Sequence, residues 1–140
     1  MKHLIYLSII ALICSSNTSF SQNINIPADS VTNLLCKKWE MDYVIANGMK
    51  IGSMPGAAEM NYEFNKDKTF VLTGNGNSMK AKGTWSYDQS KKLIKLTLNG
   101  RSNISIISLT AGQLEMLADT KAATPDDPTP IQMFYKLSTK

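Results

Sequence analysis

Eight short stretches of this chain place an apolar side chain at every second position, with turn residues between them, and no other feature narrows the fold as far. In Lys38–Ala46, Trp39, Met41, Tyr43 and Ile45 share one side while Lys38, Glu40 and Asp42 share the other. That is the period-2 signature of a strand with one buried face. The alternation recurs in Glu59–Asn65 (Met60, Tyr62, Phe64), Thr69–Thr73 (Phe70, Leu72) and Met79–Tyr87 (Ala81, Gly83, Trp85, Tyr87). It continues through Ile94, Leu96 and Leu98, then Ser102–Leu109, Gln113–Asp119 and Ile131–Leu137. Asn47-Gly48 and Asn99-Gly100 are hairpin-turn signals. Gly83, inside a strand, is expected to mark a bend or bulge.

With hairpin-length links and no internal helix to cross over a parallel sheet, the strands should form an antiparallel meander. Eight twisted strands burying one face remove their edges by closing, so the expected fold is all-β, an eight-stranded antiparallel up-and-down barrel. A short helix should precede it over Pro27–Leu35, capped by Asp29 or Ser30, after a loose arm from Asn23 to Pro27. In a meander, loops alternate between the two ends. The long connections, 47–58 and 120–130, then share one end, a mouth, and the short loops share the other with the helix and Trp39.

The first 21 residues should not enter the fold. Met1-Lys2-His3 is a short basic head, Leu4–Ile13 an apolar run, and Ser19-Phe20-Ser21 offers small residues for signal cleavage. Cleavage after Ser21 is expected, leaving Gln22 first and 22–140 as one domain, secreted or periplasmic. Lipoprotein anchoring through Cys14 is the alternative, and no later run is long enough to span a bilayer. Removing 21 of the 140 residues leaves 119, enough for a real core. Lys2 leaves with the leader, so 14 basic residues face 11 acidic ones, a mild excess that favours solubility or weak attraction to anionic surfaces over nucleic acid. Lys80, Lys82 and Lys95 share one outer face without interleaved aromatics, which also argues against nucleic acid. Cys36 would then be the lone cysteine, and no internal disulfide is available.

Chemistry is scarce. The single histidine is His3, in the leader, which removes histidine-based triads and imidazole metal sites from the mature chain. Asp126-Asp127 supplies too few ligands for calcium. The expectation is a non-enzymatic protein without cofactor or metal. The inward face offers Met41, Tyr43, Met60, Tyr62, Phe70, Leu72, Trp85, Met116, Met133 and Tyr135 as candidate ligand-binding residues. Two readings stay open. These side chains line a cavity whose methionines adapt to varied apolar shapes, or they fill the barrel and the loops engage a protein partner. Met49, Ile51 and Met54 in the first long connection suit either a mouth or such a partner.

Four segments carry a family resemblance: Leu34-Leu35-Cys36-Lys37-Lys38-Trp39, Tyr62 to Phe70, Gly83-Thr84-Trp85-Ser86, and Ile107 to Leu114. With a helical turn before a tryptophan-bearing first strand and a meander after it, the chain resembles the lipocalin-like branch of the calycins, in particular the compact secreted bacterial lipocalin-like domains. The resemblance implies that Trp39 plugs the closed end and that the cup holds a small apolar ligand.

Overall fold

The structure is a computed structural model and describes residues 24–52, 60–74, 76, 78–119 and 130–139. The expected leader and its cleavage site, Cys14, His3, Met54 and Asp126-Asp127 lie outside the described residues. Helix α1 spans Ala28–Leu35, followed by β1 (Lys38–Ala46), β2 (Met49–Gly52), β3 (Met60–Phe64), β4 (Thr69–Gly74) and β5 (Met79–Asp88). Then come β6 (Leu93–Leu98), β7 (Arg101–Leu109), β8 (Gln113–Ala118) and β9 (Ile131–Leu137). Strands β1 and β3 to β9 form the antiparallel meander, and β9 closes it on β1, from Trp39 opposite Leu137 to Ile45 opposite Gln132. The expected all-β, eight-stranded barrel with one short helix is therefore the fold.

The strand β2 is an addition, since its residues were expected to belong to a long connection. Asn47 (φ 51°) and Gly48 (φ 73°) both take the left-handed conformation that a two-residue hairpin turn requires. The chain then folds back so that Tyr43 faces Gly52 and Ala46 faces Met49. Strand β1 consequently divides one edge between two partners. At its start Lys38 and Trp39 pair with Glu63 and Tyr62 of β3, and above them that edge belongs to β2. Where the β1–β3 ladder stops, the Met41 N–H donates instead to Asn61 Oδ1 at 3.2 Å.

The face of β1 also changes part-way. The register with β9 shifts between Met41 and Tyr43: Met41 lies opposite Tyr135, but Tyr43 lies opposite Phe134. One extra residue at Asp42 bulges the strand and reverses the alternation beyond it. Val44, opposite Met133, now packs on the core, while Tyr43 and Ile45 pair with the outward residues Phe134 and Gln132. This corrects the expectation that Tyr43 and Ile45 point inward. On the outer face Tyr43 stacks on Phe134 with ring centroids 4.4 Å apart, and Lys50 Nζ lies 3.8 Å above the tyrosine ring.

The closed end is built from the N-terminal segment. Helix α1 buries Val31 and Leu35, and the Trp39 indole N–H donates to the Leu35 carbonyl at 2.9 Å, joining the helix to the first strand. The helix starts without the expected Asp29 or Ser30 cap; Pro27 holds the cap position with no side-chain hydrogen bond. The arm is not loose either. Ile24 is 1 % exposed, its N–H donates to the Lys92 carbonyl, and the Tyr87 hydroxyl lies 2.8 Å from the Ile24 carbonyl and 3.1 Å from that of Ile26. A fully buried isoleucine contributes about 2 kcal/mol, which is ample to fix such an arm.

Gly83 is neither a bend nor a bulge, because its register runs unbroken against Phe70 and Leu98. A side chain there would collide with the Phe70 ring and lie 2.5 Å from the Thr97 carbonyl oxygen. The glycine is required by close approach rather than by backbone conformation.

Candidate ligand-binding cup

The inward side chains divide by height. Toward the helix end, Trp39, Tyr62, Phe64, Phe70, Trp85, Ile94, Ile106, Leu114, Met116 and Tyr135 are buried in one continuous core. Within it Tyr62 touches three rings, at 5.7 Å from Phe64, 5.6 Å from Phe70 and 5.5 Å, edge-on, from Tyr135. The Trp85 indole N–H donates to the Asn65 carbonyl at 3.1 Å, and Lys68 Nζ lies 3.8 Å from its ring, so its polar edge is spent on the β3–β4 turn. Toward the other end, Met41, Val44, Met60, Ala81, Leu98, Ile104, Ala118 and Ile131 pack on that core yet stay partly exposed. They form an apolar ring around the open end of the barrel.

Of the ten residues the sequence offered for ligand contact, Tyr62, Phe70, Trp85, Met116 and Tyr135 therefore belong to the packed floor. Met41 and Met60 stand in the upper ring, Leu72 and Met133 lie just below it, and Tyr43 is outside. The sequence selection missed Val44, Ala81, Leu98, Ile104, Ala118 and Ile131. Strand parity carried the signal for Ala81, Leu98 and Ile131, which were passed over in favour of larger side chains; Val44 carried none, because the bulge that turns it inward leaves no periodic trace.

Three large apolar side chains are exposed among the described residues: Met49 at 65 %, Ile51 at 42 % and Met79 at 40 %. All three sit at the open end. Met49 and Ile51 pair with Ala46 and Val44, so they share the inward parity of β1 above the barrel wall, and Met79 continues the inward series Trp85, Gly83, Ala81. Two surface depressions lie elsewhere. One of about 490 Å³ covers the outer face of β4 and β5, lined by Asp67, Thr69, Lys82 and Thr84. One of about 130 Å³ lies beside Tyr43 and Phe134 with Asp42 and Glu115.

Burial disfavours the phenolate of both floor tyrosines and so raises their pKa. The Tyr62 hydroxyl is pushed up to about 12, and Tyr135 is pushed higher by burial and then by its charge coupling to Tyr62. For a group whose folded pKa exceeds its unfolded value, stability is complete below the unfolded pKa of 10 and is lost as pH rises from 10 toward the folded value. Tyr62 alone should cost about 1.4 kcal/mol by about pH 11. Urea midpoints measured from neutral to alkaline pH should fall once the pH passes about 10, and Tyr62→Phe should flatten that fall. A midpoint insensitive to alkali would mean the hydroxyl is hydrated.

A floor sealed by a helix and a first-strand tryptophan lies below an apolar ring on an eight-stranded meander. A family model described as a lipocalin-like domain matches residues 35–116, over half of the chain. The protein belongs to the lipocalin-like domain family. The match runs from the last residue of α1 to Met116 in β8, so it contains the floor tryptophans and most of the ring, while β9 closes the barrel outside it. No curated protein and no solved structure gives a significant match. Lipocalin-like domains are generally binding proteins rather than enzymes, and among the described residues of this one no helix is long and apolar enough to cross a membrane.

Proposed function

We propose that this lipocalin-like protein binds a small hydrophobic ligand in the cup above its packed floor, and that it does so without catalysis after export and cleavage near Ser21. The observation that carries the reading is the distribution of apolar exposure. The exposed Met49, Ile51 and Met79 and the half-buried ring of Met41, Val44, Met60, Leu98, Ile104, Ala118 and Ile131 gather at one end of the barrel. Exposed apolar side chains scattered singly need no explanation, but a ring of them at the mouth of a closed barrel is where a ligand can be desolvated. Methionine suits it because its flexible thioether repacks around different shapes. Of the residues first considered, Met41, Met60, Leu72 and Met133 would touch the ligand; Tyr62, Phe70, Trp85, Met116 and Tyr135 would support them.

Native mass spectrometry of the protein recovered from its source should show a chain beginning at Gln22 and carrying an apolar molecule. Titration of the emptied protein with fatty acids or a fluorescent apolar probe should saturate. Met60→Gln and Ile131→Gln should each weaken the probe about ten-fold, because a desolvated amide at the ring costs over 1 kcal/mol. Floor variants that keep the fold should leave the probe unaffected. Absence of a bound species together with no uptake of any probe would sink the cup reading. The alternative, a barrel acting through its open end on a protein partner, draws on the same exposed Met49 and Ile51 and predicts that result.

A further inference from the structure

We propose that the β2/β5 side of the mouth docks on the surface of an anionic phospholipid bilayer. The inference rests on the cup reading for its purpose, since it names the place from which an apolar ligand would be drawn, but it stands on different residues. Met49 and Ile51 lie on the β1–β2 hairpin and Met79 at the base of the β4–β5 turn, and among the described residues the start of β3 stands between these two tips. They are the three exposed large apolar side chains among the described residues, gathered into one sector of one end. Each has a cation as its chain neighbour: Lys50 stands between Met49 and Ile51, and Lys80 follows Met79. Alternation sends Lys50 and Lys80 to the outer face while the apolar side chains take the inward one. Lys82 and Lys95 extend the positive face down the barrel wall, with Lys95 meeting Asp88 at 3.6 Å near the far end.

Among the described residues the charges of opposite sign are elsewhere. Among the described carboxylates Asp119 stands at the mouth end, after β8, three strands round the barrel from β2 in one direction and from β5 in the other. The sector therefore presents apolar tips backed by ammonium groups, with no described carboxylate between them. An interface of lipid headgroups meets both needs: the apolar side chains enter the acyl boundary while lysines sit among phosphates. The apolar groups project from two separate tips rather than from a continuous groove, which suits a fluid surface better than the fixed relief of an acidic protein.

Co-sedimentation with vesicles tests this, using pure phosphatidylcholine and phosphatidylcholine with about one-third phosphatidylglycerol. The full mature chain should partition to the anionic vesicles, weakly to the neutral ones, and less as salt rises. Lys50→Gln with Lys80→Gln should weaken partitioning roughly 30-fold, and Met49→Ser, Ile51→Ser and Met79→Ser together on the order of 100-fold, with each variant keeping a cooperative thermal transition. Lys66→Gln with Lys91→Gln, which removes the same charge at the closed end, should leave it unaltered. Equal binding to neutral vesicles, equal weakening by the closed-end pair, or no sedimentation with either vesicle would overturn the proposal. Probe titration without vesicles separates the two readings: uptake of probe by a chain that ignores vesicles overturns docking alone, and docking by a chain that takes up no probe overturns the cup alone.

Discussion

Gly83→Ala should lower the stability of the barrel by about 3 kcal/mol, a large fraction of what a domain of this size holds. The added methyl would meet the Phe70 ring on one side and the Thr97 carbonyl, 2.5 Å away, on the other. A ring can turn, but Phe70 is 1 % exposed and lies against Tyr62 and Phe64, so it has little room to do so. The carbonyl belongs to the β5–β6 ladder and moves only if the strand moves. Overpacking of this kind spreads through a dense core rather than being absorbed at one place. The check is urea unfolding of the variant alone and combined with Phe70→Leu. Part of the conflict is with the ring, so the double variant should be more stable than the summed single effects by about 1 kcal/mol. A loss of only a few tenths in Gly83→Ala would mean the strands do not approach as closely as the structure has them.

Trp39→Ala should cost about 3–5 kcal/mol, and Trp39→Phe about 1–3 kcal/mol. The two losses have different origins. Alanine empties a site that is 0 % exposed at the junction of helix, first strand and floor. Phenylalanine keeps most of the volume but removes the indole N–H that ties β1 to the Leu35 carbonyl at the end of α1, leaving that carbonyl its bond from the Lys37 N–H at 2.7 Å. The phenylalanine variant should accordingly weaken the attachment of the N-terminal segment before the barrel itself, seen as faster proteolysis ahead of Lys38 at temperatures where the strands remain folded. A phenylalanine variant as stable as the parent would show that packing alone matters there.

Most of the barrel is legible in the sequence because its strands bury one face each. Lys38–Ala46 and Ile131–Leu137 are read to the residue, since alternation and turn chemistry coincide at both ends. What the sequence hides has a physical pattern. Strand β2 is invisible because all four of its residues are exposed, so burial leaves no period in them. The reversal at Asp42 is invisible because a bulge is a property of the ladder with β9, not of β1 alone. Gly83 looks like a defect until Phe70 is brought against it, and Ile24 looks like a tail until Lys92 and Tyr87 hold it. In the cup, reading by side-chain size favoured Tyr62, Trp85 and Tyr135, and large rings are what a floor is made of. The small and aliphatic residues that surround an opening attract less notice for the same reason that they leave space.

The shared edge of β1 sets the size of the opening in an unusual way. Two residue pairs with β3, Lys38–Glu63 and Trp39–Tyr62, fix the circumference at the base. Higher up that edge is occupied by the strand's own hairpin, and Asn61 spans the step with a side chain. Along this line the aperture is therefore governed by side chains and not by the main-chain lattice. Descendants of such a chain can widen or narrow their opening by single substitutions at positions such as Val44, Ile51, Met60 and Asn61, leaving the topology and its register untouched.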